Sequence, residues 1–189
     1  MKNNMIKNLT LTAMFIAMGF VLPIFTGQIP QIGSMMLPMH IPVLLCGLIC
    51  GWKYGLAAGL LLPLSRSLIL GMPPLFPIAI AMTFELATYG FIIGFLYGRS
   101  RWQCIIALYR SMIAAMLAGR VVWGAAMVLL LGVGGNAFTW QMFMAGAFVN
   151  AIPGIIIQLV LIPAIMVALN RAGLVRFYRE HSGKAVIES

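Results

Sequence analysis

Six apolar segments, separated by connections rich in Gly, Pro and basic residues, constrain this chain more than any other feature. A helix of about 20 apolar residues crosses a bilayer, and in lipid its backbone must satisfy its own hydrogen bonds. The segments run approximately over 9–25, 41–51, 54–70, 78–97, 104–131 and 140–169. They use most of the 189 residues, of which 62% are hydrophobic and 8% charged, so no separate catalytic domain fits. We predict an all-α membrane protein, a single integral-membrane domain over 1–189 with six transmembrane helices in one bundle.

The basic residues predict the orientation of the bundle, because Lys and Arg in short connections are retained on the cytoplasmic side. They fall in alternate connections, namely Lys2, Lys7, Lys53, Arg99, Arg101, Arg171, Arg176, Arg179 and Lys184. This alternation predicts cytoplasmic N and C termini, a basic cytoplasmic tail over 170–189, and outer connections at 26–38, 72–77 and 132–139. The net charge of +9 forms no continuous basic face, which argues against nucleic-acid binding.

Arg66, Glu85 and Arg120 are ionisable residues that lie inside the apolar segments. A charge at bilayer depth costs at least roughly 2.5–3.5 kcal/mol on insertion scales, so it usually faces a partner, a polar cavity or a ligand. With a rise of about 1.5 Å per residue, Arg66, Glu85 and Asn150 fall in the outer half of the membrane and Arg120 nearer its middle. We expect these side chains, from four helices, to converge on a pocket open to the outside.

The charges in this predicted pocket favour an anionic ligand, because two cations face one anion. A carboxylate-bearing substrate follows from that excess. The alternative is structural: Arg66 and Glu85 form an ion pair between two helices, and Arg120 snorkels or lines a crevice.

Aromatic residues beside the charges can supply pocket walls. Tyr89 lies one turn after Glu85, and Trp123 lies three residues after Arg120. His40, at the start of the second segment, either contacts ligand or serves as a capping or interfacial residue.

The sixth segment carries a repeat of small and amide residues at every fourth position: Gly146, Asn150, Gly154 and Gln158. The repeat predicts one helical face with gaps and amide groups. For the two glycines, close helix packing is favoured over ligand contact.

Neither an enzyme nor a metal site is indicated. The sequence has no GxxxxGK[ST], HExxH or GxSxG motif and no paired intramembrane carboxylates. Cys46 and Cys50 share a helical face, but packing is favoured over metal ligation, and Cys104 is distant in sequence. We therefore expect no cofactor and no metal, and a separate source of energy for any transport.

Three stretches resemble one family of transport proteins: LPMHIPVLLCGLICGWKYGL (37–56), GMPPLFPIAIAMTFELATYG (71–90) and the AxxxA element of Ala13 and Ala17. With the chain length and six predicted spans, they are similar to the substrate-binding S components of energy-coupling factor (ECF) transporters, nearest to pantothenate-type members. Val21 stands where the family often has a third Ala.

The resemblance implies a vitamin-uptake subunit of a bacterial plasma membrane. Such a subunit binds its vitamin from outside with high affinity and topples in the membrane. A transmembrane T component, expected to contact Ala13 and Ala17, and two cytoplasmic ATPases act with it. The 26–38 connection would be an outer gating loop, with Gln28, Gln31 and His40 as its gating residues. The expected substrate-binding residues are Arg66, Glu85, Tyr89, Arg120, Trp123 and Asn150.

Other interpretations of the function stay open. Folate, riboflavin and smaller ring compounds would use the same kinds of groups as pantothenate, since pocket shape decides among them. A membrane scaffold of the rod-shape-protein type has a similar architecture and needs no ordered polar pocket. A small molecule that copurifies with the protein would argue against a scaffold.

Overall fold

The structure, a computed structural model, describes residues 2–26, 38–100, 104–133, 139–147 and 149–173. Within these ranges the chain is helical and has no β-strand, which confirms the all-α prediction for them. The helices are α1 (Lys2–Thr26), α2 (His40–Cys50), α3 (Trp52–Leu70), α4 (Ile80–Arg99), α5 (Ile105–Val133), α6 (Trp140–Ala147) and α7 (Ile152–Arg171). A π-helical turn, Leu75–Ala79, leads into α4, and a 3-10 turn, Val149–Ala151, leads into α7.

Four stretches are long and apolar enough to cross a membrane: Met5–Ile24, Leu75–Arg99, Ile105–Gly132 and Ile152–Arg171. Helix α2 has 11 residues, a length of about 16 Å, and does not span the roughly 30 Å hydrocarbon core by itself. Helix α3 has 19 residues and carries Lys53 and Arg66. The described residues thus provide four candidate spans, and six crossings with cytoplasmic termini stay a prediction.

The predicted sixth span is not one continuous helix. Helix α6 ends at Ala147, and α7 begins at Ile152 with Pro153 in its first turn. Proline has no backbone N–H, so it fits the first turn of a new helix better than the interior of a continuing one. The expectation that Gly146, Asn150, Gly154 and Gln158 share one helical face is therefore wrong.

Helix α4 lies at the centre of the bundle. Its largest interface is with α3, followed by those with α5 and α2. Glycines let the α3 and α4 backbones touch: a Cβ on Gly55 would lie 2.6 Å from the Gly90 carbonyl oxygen, and one on Gly59 would overlap the backbone of Leu86. These contacts fix an antiparallel register in which Gly55 faces Gly90.

A single residue, Gly51, joins α2 to α3. Its φ of 92° and ψ of 171° lie in a region that only glycine adopts readily. The sequence-predicted boundary between the second and third apolar segments coincides with this glycine.

Helix α1 packs on α2 and α3 with one face. Thr12, Phe15 and Gly19 are buried on that face, and Gly19 receives the Leu62 side chain of α3. Ala13 and Ala17 lie on the exposed side of the helix.

Candidate functional site

A buried polar cluster forms where α2, α4 and α5 meet. Arg120 Nη1 on α5 lies 3.0 Å from Glu85 Oε1 on α4, and His40 Nε2, at the start of α2, lies 3.4 Å from the same oxygen. The exposed fractions of His40, Glu85 and Arg120 are 0%, 1% and 5%. The structure thus brings together three of the residues that the sequence placed at the site or its gate.

Tyr89 completes this cluster, one helical turn after Glu85 on the same face of α4. Its ring meets the His40 ring edge-on, with centroids 5.1 Å apart. The ring also lies against Gly119, where a Cβ would come within 3.1 Å of Tyr89 Cζ. The glycine before Arg120 therefore makes room for Tyr89 between α2 and α5.

Several buried nitrogens in this region have no hydrogen-bond partner among the described residues. They are His40 Nδ1, His40 Nε2, Arg120 Nε and Arg120 Nη2, and Gln158 Nε2 on α7 is a further buried nitrogen of this kind. Leaving a buried donor unsatisfied costs about 1–3 kcal/mol, and more for a charged group. Unused polar atoms on the side chains of a buried ion pair are typical of a site that a polar ligand completes.

Arg66 does not join this cluster. Its Nε donates to the Met72 carbonyl oxygen at 3.2 Å. Because Gly55 faces Gly90 and Gly59 faces Leu86, Arg66 is level with residues near 79, about six residues or about 9 Å along α4 from Glu85. The expected similar depth of Arg66 and Glu85 does not hold, and the ion pair of Glu85 forms with Arg120 instead of Arg66.

Trp123 lies one turn beyond Arg120, where α6 covers α5. A Cβ on Gly146 of α6 would lie 2.7 Å from Trp123 Cη2, and Phe143 stacks on the Trp123 ring with centroids 6.4 Å apart. Phe143 in turn lies against Gly124 of α5. The aromatic wall predicted at Trp123 is thus in contact with the short helix α6.

The remaining predicted residues are placed only in part. Asn150 lies in the 3-10 turn, but its side chain is outside what the structure describes. Gln28 and Gln31 also lie outside the described residues, as does most of the predicted tail.

Sequence reasoning underrated two residues. His40 was expected at a helix start, as a gating residue that either contacts ligand or caps the helix; it opens a helix of which ten of eleven residues are buried, and it lies against Glu85. Gln158 was predicted only as an amide group on a helical face of the sixth segment; it is 1% exposed, and its amide nitrogen has no hydrogen-bond partner among the described residues. A lone imidazole at the start of a wholly apolar segment was the signal available for His40.

Two open clefts lie elsewhere, near the ends of helices. One of about 500 Å³ separates α5 from α7, beside Tyr109 and Arg171. The other, of about 410 Å³, separates the end of α4 from the start of α5. In the described ranges, no group of three His, Cys, Asp or Glu side chains is arranged to hold a metal ion.

One known protein family matches this chain over most of its length. The family model described as "ECF transporter, substrate-specific component" matches residues 7–166, from α1 into α7. The chain belongs to this family. As an S component it is a substrate-binding subunit and not an enzyme, and it works with a T component and with ATPases that hydrolyse ATP. Neither a curated protein nor a solved structure matches the chain.

Proposed function

We propose that this S component captures a carboxylate-bearing vitamin, with pantothenate as the first candidate, outside a bacterial plasma membrane. The observation that carries the proposal is the pair of unpartnered nitrogens on Arg120, next to Glu85 and His40. The alternation of basic connections supports six crossings with cytoplasmic termini. A T component and two ATPases would move the loaded subunit.

The guanidinium of Arg120 has a free edge of the right shape for a carboxylate. Nη1 faces Glu85, whereas Nε and Nη2 form the opposite edge and find no partner among the described residues. Two parallel N–H donors on one edge of a guanidinium bind a carboxylate in bidentate fashion. Glu85 balances the charge and orients Arg120, so the carboxylate contact depends on directed donors rather than on an excess of cations.

The neighbours of Arg120 suit the other groups of such a vitamin. Glu85 accepts hydrogen bonds, and the imidazole of His40 donates through one nitrogen and accepts through the other. These groups complement hydroxyl and amide groups, while Tyr89 adds an aromatic surface. Arg66, Trp123 and Asn150 are also proposed to contact the vitamin, closer to the outer surface of the membrane than the polar cluster.

Access to the cluster is proposed through α6 and the outer connection. The two clefts described above do not border His40, Glu85 or Arg120, so this conformation holds the polar groups covered. Helix α6 contacts α5 mainly through aromatic rings set against glycines. Movement of α6 together with the 26–38 gating loop would expose Arg120 to the outside.

Binding measurements on the detergent-solubilised chain test this proposal. Mass spectrometry identifies any copurified small molecule, and titration calorimetry measures the affinity for pantothenate, folate and riboflavin. The double variant Glu85→Gln with Arg120→Gln removes both charges and leaves no unpaired buried ion. Loss of two charged hydrogen bonds of about 1.5–3 kcal/mol each predicts an affinity at least about 100-fold weaker.

Lys53→Gln is the matched control, because it removes one exposed cation from the start of α3 and should leave the affinity unchanged. Tighter binding of folate or riboflavin, with the same dependence on Arg120, would reassign the vitamin and keep the site. Unchanged affinity in the double variant would make the ion pair purely structural and overturn the proposed site.

A further inference from the structure

The cleft between α4 and α5 lies at the boundary of the membrane. Arg99 is the last residue of α4 and Ile105 is the first of α5, and both helices belong to candidate spans. The ends of membrane-spanning helices lie at the level of the lipid headgroups. The cleft of about 410 Å³ therefore opens where headgroups are present at high local concentration.

Two guanidinium groups line the cleft, those of Arg99 and Arg110, and both side chains are exposed. The whole chain contains three acidic residues, of which Glu85 is paired with Arg120 and the other two, Glu180 and Glu188, lie outside the described residues. No carboxylate in the described ranges therefore neutralises Arg99 or Arg110. The Arg99 guanidinium is held over the Phe95 ring at 5.7 Å, which orients it at the cleft.

The start of α5 adds backbone donors to this positive charge. The Leu108 N–H donates to the Cys104 carbonyl oxygen at 3.0 Å. The N–H groups in the first turn of an α-helix have no partner inside the helix, and Ala107 of that turn lines the cleft. Free N–H groups and the helix dipole at a helix N-terminus favour an anion, here beside two arginines.

The inner part of the cleft is apolar. Leu96 and Ala114, the lining residues farthest from the two helix ends, are apolar, and the small Ala114 leaves room between the two helices. A lining that is cationic at the membrane boundary and apolar toward the bilayer matches an amphipathic anion. Free phosphate would fill only the cationic part.

We propose that this cleft binds an anionic phospholipid, with its phosphate on Arg99 and Arg110 and an acyl chain along Leu96 and Ala114. Basic pockets between transmembrane helices are known sites for acidic lipid headgroups. This site is separate from the polar cluster at Glu85 and does not depend on vitamin binding. An S component with such a site would be stabilised selectively by acidic lipids.

The test uses the full chain in mixed micelles of a neutral detergent with phosphatidylglycerol or phosphatidylcholine. Native mass spectrometry counts bound lipid, and thermal unfolding reports lipid-dependent stabilisation. Phosphatidylglycerol should bind at least about tenfold more tightly than phosphatidylcholine. Each arginine near an anionic headgroup contributes about fivefold, so the double variant Arg99→Gln with Arg110→Gln should bind phosphatidylglycerol roughly 25-fold more weakly.

Lys53→Gln removes an exposed cation outside the cleft and should change the affinity less than twofold. If the double variant does not fold, the single variants Arg99→Gln and Arg110→Gln test the proposal instead. Each should bind phosphatidylglycerol about fivefold more weakly. Equal binding of both lipids, or an equal loss in Lys53→Gln, would overturn the proposal. A further contrary outcome is that glycerol phosphate stabilises the protein against thermal unfolding as well as phosphatidylglycerol does at the same concentration. That result would assign the cleft to a free phosphate and would also overturn the lipid proposal.

Discussion

Glu85 and Arg120 neutralise each other in the buried centre, so removing either one should be worse than removing both. An uncompensated buried charge destabilises a protein by about 3–5 kcal/mol, whereas removal of a whole buried pair is often close to neutral. We expect Glu85→Gln and Arg120→Gln each to lower the free energy of unfolding by that amount, and the double variant to lose less than either. Denaturant unfolding of the ligand-free protein in micelles measures this cycle.

Arg171→Gln serves as the control for this cycle, because it removes one exposed cation at the end of α7 and should change stability by less than about 1 kcal/mol. Additive losses in the double variant would contradict the coupling and indicate that the two side chains contribute independently.

The intramembrane charges were identifiable from sequence, but their pairing was not. Hydropathy locates Arg66, Glu85 and Arg120 along the chain, because each interrupts an apolar run. The choice of Arg120 over Arg66 as partner follows from the glycine contacts that set α3 against α4, which shift Arg66 about 9 Å along α4 from Glu85. The spacing of residues along one helix carries no information about how far two packed helices are shifted along each other.

Glycine contacts make the α3–α4 interface the most sensitive part of the fold. A Cβ on Gly90 would overlap the carbonyl group of Gly55, so the two helices would have to separate. We expect Gly90→Ala to destabilise the protein by about 1–3 kcal/mol, the usual cost of overpacking. Thermal unfolding in micelles measures the effect.

Gly98→Ala is a control on the same helix, since a Cβ there meets nothing within 4 Å. Alanine is the better helix former, so this variant should be neutral or more stable by up to about 1 kcal/mol. Equal destabilisation by the two variants would mean that close α3–α4 packing is not what Gly90 provides.

Helix boundaries were predicted well where a glycine marks them and poorly where the sequence remains mostly apolar across the boundary. Gly51 and Gly71 adopt positive φ at the ends of α2 and α3, close to the predicted ends of the second and third apolar segments. Asn150 is the one polar residue in the sequence of residues 147–152, so composition gave little sign that α6 and α7 are separate. Pro153 was the available signal, because proline in a first turn favours a helix start.

At the scale of the whole molecule, α1 presents two different surfaces. Thr12 and Phe15 pack inward, with the Cys46 thiol donating to Thr12 Oγ1 at 3.6 Å. The opposite surface is apolar and exposed, and it includes Ala13, Ala17 and Val21, the last 49% exposed. In a bilayer this surface meets either lipid or another subunit. Two alanines one turn apart allow a neighbouring helix to approach closely, which lipid contact alone does not require.

Enlarging this surface should separate substrate binding from transport. We expect Ala13→Leu with Ala17→Leu to leave vitamin affinity within twofold, because both side chains lie away from Glu85 and Arg120, and to lower vitamin uptake at least about tenfold. Uptake is measured in vesicles that contain the T component and the ATPases, and assembly is measured by copurification with the T component. Ala125→Leu makes the same change at an exposed position of α5 and should assemble and transport normally. Full assembly and uptake with leucine at 13 and 17 would show that the exposed face of α1 contacts lipid and that the T component binds elsewhere.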